Sequence, residues 1–306
     1  MFLCPLLAGK GEKMEKLQSL PDACFPNLGL IFQDLERTAV SIFGFDIYWY
    51  GVFICTAVII GHLVLYHNAK TSGQDPDVYL DFVFFGIISG ICGARIYYLL
   101  FNERSLRNFF AFRDGGLAIY GGVIAMIIAV AVYTRIKKLN FLQFTDTYAP
   151  PLILGQAIGR LGNFVNREAF GRATQSFFAL MYKAKEVPNL RVKGGIALYL
   201  GKTEYPVTWI ENTAYISVHP TFLYELTCNI CIFIFMMLYR KHKKFEGEMS
   251  ALYFVCYGSC RFFIESLRTD QLKIGTIPVS MLFSGVMVIL SMVFIVFMRK
   301  RARLKA

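Results

Sequence analysis

The stretch that decides the fold is GRLGNFVNREAFGR, residues 159–172, which directly follows the apolar run Pro150–Ile158. Its polar and ionisable members are Arg160, Asn163, Asn166, Arg167, Glu168 and Arg172. Such a cluster beside a membrane-spanning run indicates a functional site, because hydrocarbon offers these groups no water. The alternative is a helix that leaves the membrane and enters a polar loop.

The composition indicates a membrane protein. Hydrophobic residues make up 56% of the 306 residues and charged residues only 17%, whereas a soluble chain carries about a quarter charged residues. Mean hydropathy is +0.48. Long apolar runs predict transmembrane helices near residues 47–66, 78–101, 114–133, 148–164, 219–238, 248–267 and 277–298.

We therefore expect an all-α polytopic membrane protein with about seven transmembrane helices and a small extracytoplasmic head. The sequence divides into a lead-in (1–46), a first helical part with the opening stretch (47–169), a head insert (170–218), and a second helical part with a basic tail (219–306). The head is polar and aromatic, with several Lys and two Pro residues, which is typical of short strands and turns.

The net charge of +11 raises the question of a nucleic-acid partner. The basic residues, however, cluster in short segments beside apolar runs, which is typical of cytoplasmic membrane loops. We expect the lipid bilayer, and no nucleic acid, as the partner of these charges. Loops at 70, 135–138 and 240–244 and the tail after 298 hold more Lys and Arg than the opposite loops. This asymmetry predicts a cytoplasmic C-terminus and an external N-terminus.

No metal or cofactor is predicted. Cys228 and Cys231 have the spacing of a redox or zinc pair, but they lie within an apolar run and no second ligand pair has matching spacing. We interpret them as small packing residues. The four histidines show no metal-ligand spacing, and no Ser-His-Asp arrangement is recognisable.

Polar groups from several predicted helices should converge at a similar depth. They are Tyr50, Tyr120, Arg160, Asn163, Asn166, Glu168, Glu225, Arg261 and Glu265. Arginines from two helices suit an anionic headgroup, since guanidinium binds phosphate oxygens bidentately. Nearby carboxylates could orient the arginines or accept a proton. The alternative is a structural ion pair such as Arg261–Glu265, which lie four residues apart on one helix face.

The 159–172 stretch resembles the signature of the bacterial prolipoprotein diacylglyceryl transferases. Four further blocks resemble that family in the same order: Trp49-Tyr50-Gly51, Asp114-Gly115-Gly116 with Tyr120-Gly121-Gly122, His219-Pro220-Thr221 with Tyr224-Glu225, and Tyr257-Gly258 with Arg261, Glu265 and Arg268. The likeness covers the chain from about Tyr48 to the C-terminus.

The resemblance implies an enzyme of the bacterial inner membrane with an outward-facing active site. It would transfer the sn-1,2-diacylglyceryl group of phosphatidylglycerol to the lipobox cysteine thiol in the signal peptide of a preprolipoprotein. A thioether would form and glycerol 1-phosphate would leave. No cofactor is implied, and the nucleophile belongs to the protein substrate.

The resemblance also implies site residues. Arg160 and Arg261 would hold the phosphate, Asn163 would position the headgroup, and Glu168 and Glu265 would orient these groups. Tyr50 and Tyr120 join the expected catalytic set, and Asn166, Gly171 and Glu225 join the expected substrate-binding set. This chain has Tyr120 where many members have His, so we assign no thiol base. Its N-terminal lead-in is also longer than usual for the family.

Two other classes of function use the same residues. A transporter for an anionic solute could employ the arginines, but it predicts repeat symmetry between the two halves, which is not recognisable in the sequence. A membrane scaffold with structural ion pairs is the other alternative.

Overall fold

A computed structural model describes residues 20–102, 109–111, 116–269, 271, 273–274 and 277–304. Residues 1–19 of the predicted lead-in and the motif residues Asp114 and Gly115 lie outside the described residues.

Long helices make up most of the described chain. They are α1 (Trp49–Thr71), α2 (Pro76–Phe101), α3 (Ile119–Ile136), α4 (Phe141–Asn166), α5 (Thr221–Tyr239), α6 (Glu248–Leu267) and α7 (Val279–Arg303). Five of these helices, all except α4 and α6, have the length and apolar composition to cross a membrane. The structure thus agrees with a multi-pass membrane protein. It does not confirm seven spans, because α4 and α6 carry more polar residues.

Helix α4 begins earlier than the sequence pattern suggests. The prediction placed its start near residue 148, at the Pro150-Pro151 pair, but the helix begins at Phe141 and continues through both prolines. The Asn140 carboxamide oxygen explains the earlier start, since it accepts hydrogen bonds from the backbone N–H groups of Leu142 and Gln143 and so caps the helix.

The expectation of an all-α protein is incomplete, because an antiparallel sheet is present. Its seven strands follow the order β2-β1-β5-β9-β8-β7-β6. They are β1 (Ala23–Phe25), β2 (Leu30–Phe32), β5 (Leu180–Lys183), β6 (Leu190–Lys193), β7 (Ile196–Tyr199), β8 (Thr203–Ile210) and β9 (Thr213–Val218). Two hairpins lie outside this sheet: β3 (Thr38–Ile42) with β4 (Phe45–Tyr48), and β10 (Lys273–Ile274) with β11 (Ile277–Pro278).

The sheet combines strands from two distant parts of the chain. Strand β1, predicted as part of the lead-in, pairs with β5 of the predicted head, with Ala23 opposite Tyr182. The hydrophobic core of the sheet is rich in aromatic residues and includes the buried residues Phe25, Phe170, Tyr182 and Tyr205. The driving force is the removal of this apolar surface from water.

The chain forms two compact units. Of the described residues, the first unit comprises those within 20–58, 153–235 and 253–294, and the second comprises those within 59–152, 236–252 and 295–304. The sheet and the second half of α4 belong to the first unit, together with most of α5 and α6. Helices α2 and α3 belong to the second unit.

Glycines permit the close packing of α2 against α3 in the second unit. A β-carbon at Gly93 would lie 2.7 Å from the carbonyl oxygen of Gly121, and one at Gly122 would lie 3.4 Å from that of Gly90. Gly121 and Gly122 therefore lie where the two helix backbones approach each other closely.

Arg95 of α2 organises the chain that leads into α3. Its side chain is buried and donates to three backbone carbonyls, those of Phe109 (3.1 Å), Ala111 (2.8 Å) and Gly116 (3.0 Å). It binds carbonyl groups of the following connection.

Candidate active site

Two arginines from different helices meet on one carboxylate. Arg160 Nη2 of α4 lies 2.6 Å from Glu225 Oε2, and Arg261 Nη1 of α6 lies 2.6 Å from Glu225 Oε1. Glu225 belongs to the second turn of α5. Its side chain therefore connects α5 with both α4 and α6. The Glu225 side chain is 3% exposed and that of Arg160 is 20% exposed. The carboxylate is therefore enclosed, while the guanidinium groups remain partly accessible.

A second carboxylate, Glu265, extends this arrangement. Arg261 Nη2 lies 2.6 Å from Glu265 Oε2, as the four-residue spacing predicts. Arg268 approaches both carboxylates, with Nη1 3.7 Å from Glu225 Oε1 and Nε 3.9 Å from Glu265 Oε2. We call Arg160, Arg261, Arg268, Glu225 and Glu265 the arginine cluster.

Glu168 is linked to the arginine cluster through an amide. The Asn163 Nδ2 group donates to Glu168 Oε1 at 3.0 Å, and Asn163 Oδ1 accepts from Arg160 Nη1 at 3.2 Å. Asn166 Nδ2 also donates to Glu168 Oε1, at 3.2 Å. Glu168 thereby fixes the orientation of both amides, and Asn163 presents its oxygen to Arg160.

The end of α4 is shaped to turn Glu168 back onto the helix. Arg167 has a φ of 54°, and the Glu168 N–H donates to the carbonyl of Asn163 at 3.1 Å, which is a Schellman-type end. Glycine is the usual residue at the left-handed position. The Arg167 side chain offsets the strain, because it is buried and bonds to Asp22 (3.3 Å) and to the Leu35 carbonyl (2.5 Å).

Three chain segments are joined at Gly171. Its N–H donates to the His219 carbonyl at 2.9 Å, and the neighbouring Arg172 N–H donates to the Leu267 carbonyl at 2.9 Å. A β-carbon at Gly171 would lie 2.8 Å from His219 Cβ and 3.0 Å from the Leu267 oxygen. Only glycine fits, and this junction sets the position of the segment that carries Arg268.

His219 lies between β9 and α5, next to this junction. Its Nδ1 is 3.2 Å from the hydroxyl of Tyr224. Partial burial lowers the pKa of His219, because desolvation disfavours the imidazolium form. The next turn is held by Thr221, whose hydroxyl donates to the Ala169 carbonyl.

Tyr50, in the first turn of α1, packs against the helix that carries Arg160. A β-carbon at Gly162 would lie only 2.5 Å from Cδ2 of the Tyr50 ring. Tyr50 is 39% exposed, and its hydroxyl has no hydrogen-bond partner among the residues that the structure describes. Its expected place in the catalytic set stays a prediction.

The comparisons with known proteins point to one family. A family model for prolipoprotein diacylglyceryl transferase matches residues 37–297. A phosphatidylglycerol–prolipoprotein diacylglyceryl transferase of Finegoldia magna is 37% identical over 260 residues, which cover 83% of this chain and 92% of that protein. The enzyme of the same name from Clostridioides difficile is 38% identical over 271 residues, 87% of this chain and 97% of that protein.

The chain belongs to the prolipoprotein diacylglyceryl transferase family. The resemblance that the sequence motifs indicate is therefore confirmed, and the protein is a transferase enzyme.

Arg268 is a member of the arginine cluster that the sequence did not predict. The motif block that ends in Arg268 contained the signal, because the residue follows Glu265 at a spacing of three on the same helical surface. Arg268 lies just beyond the end of α6, so helical spacing alone does not predict where its side chain points. That orientation depends on the strand-like pairing of Arg268 with Gly171.

Tyr120 lies in the first turn of α3 and is 42% exposed. It belongs to the second compact unit, whereas the arginine cluster belongs to the first. Its expected catalytic role in the transferase stays a prediction.

The charged groups of this site suit an anion rather than a metal. In the described part of the chain, no group of three or more His, Cys, Asp or Glu residues has the arrangement of a metal site. Arginine is not a metal ligand, but its planar fork matches phosphate oxygens.

Proposed function

We propose that this enzyme transfers the sn-1,2-diacylglyceryl group of phosphatidylglycerol to the lipobox cysteine of a preprolipoprotein, the first step of bacterial lipoprotein maturation. The single observation that carries this proposal is the meeting of Arg160 and Arg261, from separate helices, on Glu225. Membership of the family supplies the reaction class.

The charge of the arginine cluster suits a phosphodiester. Three arginines face two glutamates, which leaves one net positive charge against the single negative charge of phosphatidylglycerol. The contacts of Arg160 with Asn163 and Glu225 engage both of its terminal nitrogens, yet a guanidinium carries five N–H donors. Donors therefore remain for phosphate oxygens on the partly exposed side.

The reaction needs stabilisation of a leaving group more than a nucleophile from the enzyme. The substrate's cysteine sulfur would attack the glycerol carbon that bears the phosphate, forming the C–S bond. The C–O bond breaks, and glycerol 1-phosphate leaves with its electron pair and an added negative charge. Fixed guanidinium groups in a site of low dielectric constant stabilise such a charge strongly.

The same cations assist the incoming thiol. A thiolate is the reactive form of cysteine, and neighbouring arginines lower the pKa of a thiol. The thiol proton passes to solvent water, so the reaction requires no dedicated base, in keeping with the lack of an assigned base at Tyr120.

The remaining residues position these groups. Asn163 would orient the headgroup beside Arg160, with Glu168 and Asn166 holding Asn163. Glu225 and Glu265 hold the arginines, Tyr50 contacts the headgroup, and Gly171 fixes the segment of Arg268. Tyr120 remains in the proposed catalytic set on the strength of the resemblance to the family.

We place the enzyme in the bacterial inner membrane, with its N-terminus outside and its C-terminus in the cytoplasm. The basic residues of α7 and of the loops that precede α4 and α6 support this orientation. In this arrangement α4 and α6 also cross the membrane, and their ionisable residues belong to the site.

A direct test uses purified protein in phosphatidylglycerol liposomes with a lipobox peptide. Mass spectrometry should show a peptide that has gained one diacylglyceryl group through its cysteine. We expect Arg160→Gln and Arg261→Gln each to lower the transfer rate about 100-fold or more, whereas Arg191→Gln, an exposed arginine on β6, should not.

The absence of an adduct with folded protein would reject the proposal. A flux of anionic solutes through the same liposomes would favour the transporter, and full transfer activity in Arg160→Gln would favour purely structural ion pairs.

A further inference from the structure

A second polar layer lies one helical turn away from the arginine cluster, on the same helices. Gln156 precedes Arg160 by four residues on α4, and Asn229 follows Glu225 by four residues on α5. Residues four apart share a helix face and are displaced by about 6 Å along the axis. Since Arg160 and Glu225 touch each other, each amide lies one turn from that contact, on the face of its own helix that carries the contacting residue.

Both amides have unused hydrogen-bonding groups. Asn229 is 1% exposed, and within the described residues its Nδ2 group has no hydrogen-bond partner. The Gln156 Oε1 atom is likewise buried without a partner there, while its Nε2 contacts the Tyr253 hydroxyl at 2.9 Å. A buried polar group without a partner is destabilising, so a bound group that satisfies it gains affinity.

Each of these two amides can present a hydrogen-bond donor. Asn229 Nδ2 is a donor as it stands. The amide of Gln156 can rotate by half a turn and keep its contact with Tyr253, because a phenol hydroxyl both donates and accepts. After that rotation the unpaired atom of Gln156 is Nε2, which is also a donor.

The chemistry of a phospholipid matches this order of groups. Its phosphate is followed, toward the hydrocarbon, by two acyl ester groups whose carbonyl oxygens are hydrogen-bond acceptors only. The arginine cluster is suited to the phosphate. The next layer of α4 and α5 offers donors at the depth where the ester carbonyls follow.

We propose that Asn229 and Gln156 form a subsite that binds the acyl ester carbonyls of the lipid substrate, which rests on the proposed function. The arginines bind the charged part of the lipid, and the two amides align the diacylglyceryl group that is to be transferred. The subsite makes the enzyme selective for ester-linked over ether-linked phosphatidylglycerol, because an ether lacks the carbonyl oxygen.

Equilibrium binding of two lipids tests this directly. Dissociation constants are measured for diacyl phosphatidylglycerol and for its dialkyl ether analogue, with the full-length protein in detergent. The wild-type protein should bind the diacyl lipid about fivefold to tenfold more tightly. Asn229→Leu, which keeps the side-chain size, should lose most of this preference while its affinity for the ether lipid stays the same. Gln156→Leu should reduce the preference in the same way.

Thr227→Val is the matched control, since Thr227 is exposed on α5 two residues before Asn229; it should keep the full preference. Equal affinity of the wild-type protein for both lipids would overturn the subsite, whether or not any variant folds. An equal loss of both affinities in Asn229→Leu would also overturn it. Failure of the wild-type protein to bind either lipid would overturn the proposed function itself, so the two failures are distinguishable.

Discussion

The ring of Tyr50 lies against Gly162, so closely that a β-carbon at position 162 would come within 2.5 Å of Cδ2 of the ring. This contact joins the first turn of α1 to the helix that carries Arg160. The missing side chain at 162 is therefore a requirement of the site, whereas Gly159 on the same helix has no atom within 4 Å of a built β-carbon.

The substitution Gly162→Ala should therefore displace Tyr50 or α4. We expect a loss of about 1–3 kcal/mol in stability from overpacking, together with a lower transfer rate. Gly159→Ala is the control and should be neutral or stabilising, because alanine is favoured over glycine in a helix. Thermal unfolding and transfer assays of the two variants measure the difference; equal behaviour would show that the Tyr50 contact is unimportant.

Gly171→Ala should push the chain at residue 171 away from residues 219 and 267. Its β-carbon would meet both a side chain and a backbone carbonyl, so the segment that carries Arg268 must shift. We expect the transfer rate to fall about tenfold or more, by the displacement of a charged group from its productive position. Gly195→Ala, in open space on the β6–β7 turn, should retain wild-type activity; comparable losses in the two variants would contradict this reading.

Glu225→Gln should separate binding from turnover. Without the carboxylate, Arg160 and Arg261 lose their common partner, and the arginine cluster gains net positive charge. We expect phosphatidylglycerol to bind at least as tightly, while turnover falls about 100-fold because the guanidinium groups are no longer held in place. The control is Glu204→Gln, at an exposed position on β8. Unchanged turnover in Glu225→Gln would show that this carboxylate does not position the arginines.

The sequence supported some of these relationships well. Arg261 and Glu265 lie four apart on a helix, so their contact followed from helical geometry. The signature stretch placed Arg160, Asn163 and Glu168 together, and the structure connects them through consecutive hydrogen bonds. These are local relationships, and local spacing is what a sequence shows directly.

Relationships between distant segments were not predictable in the same way. Strand β1 precedes α1 in the chain and β5 follows α4, so their pairing joins segments that are far apart in sequence. No local pattern in the lead-in specifies that partner. Arg268 acquires its direction from the pairing of its backbone with Gly171. The apolar runs predict spans at α4 and α6 as well, but these two helices are the most polar of the seven, because they carry Arg160, Arg261 and Glu265, and only the other five have the composition of membrane spans.

Burial of His219 predicts a pH dependence of stability. Its pKa is lowered in the folded state, so the unfolded chain binds a proton more readily. The free energy of unfolding should therefore decrease as the pH falls below about 6.5, the ordinary pKa of histidine. Between about pH 7.5 and 5.5, Tm should fall more for the wild-type protein than for His219→Gln. His242→Gln, at an exposed histidine, should follow the wild-type protein; parallel curves for all three would exclude His219 as the cause.

The most direct test of the central claim is a structure of this protein with phosphatidylglycerol bound, in which the distances from the phosphate oxygens to Arg160 and Arg261 are measured. We predict that one phosphate group lies within charge-assisted hydrogen-bond distance of both guanidinium groups, about 2.7–2.9 Å between nitrogen and oxygen. A lipid phosphate bound away from both arginines, with each arginine still paired to Glu225, would contradict the account.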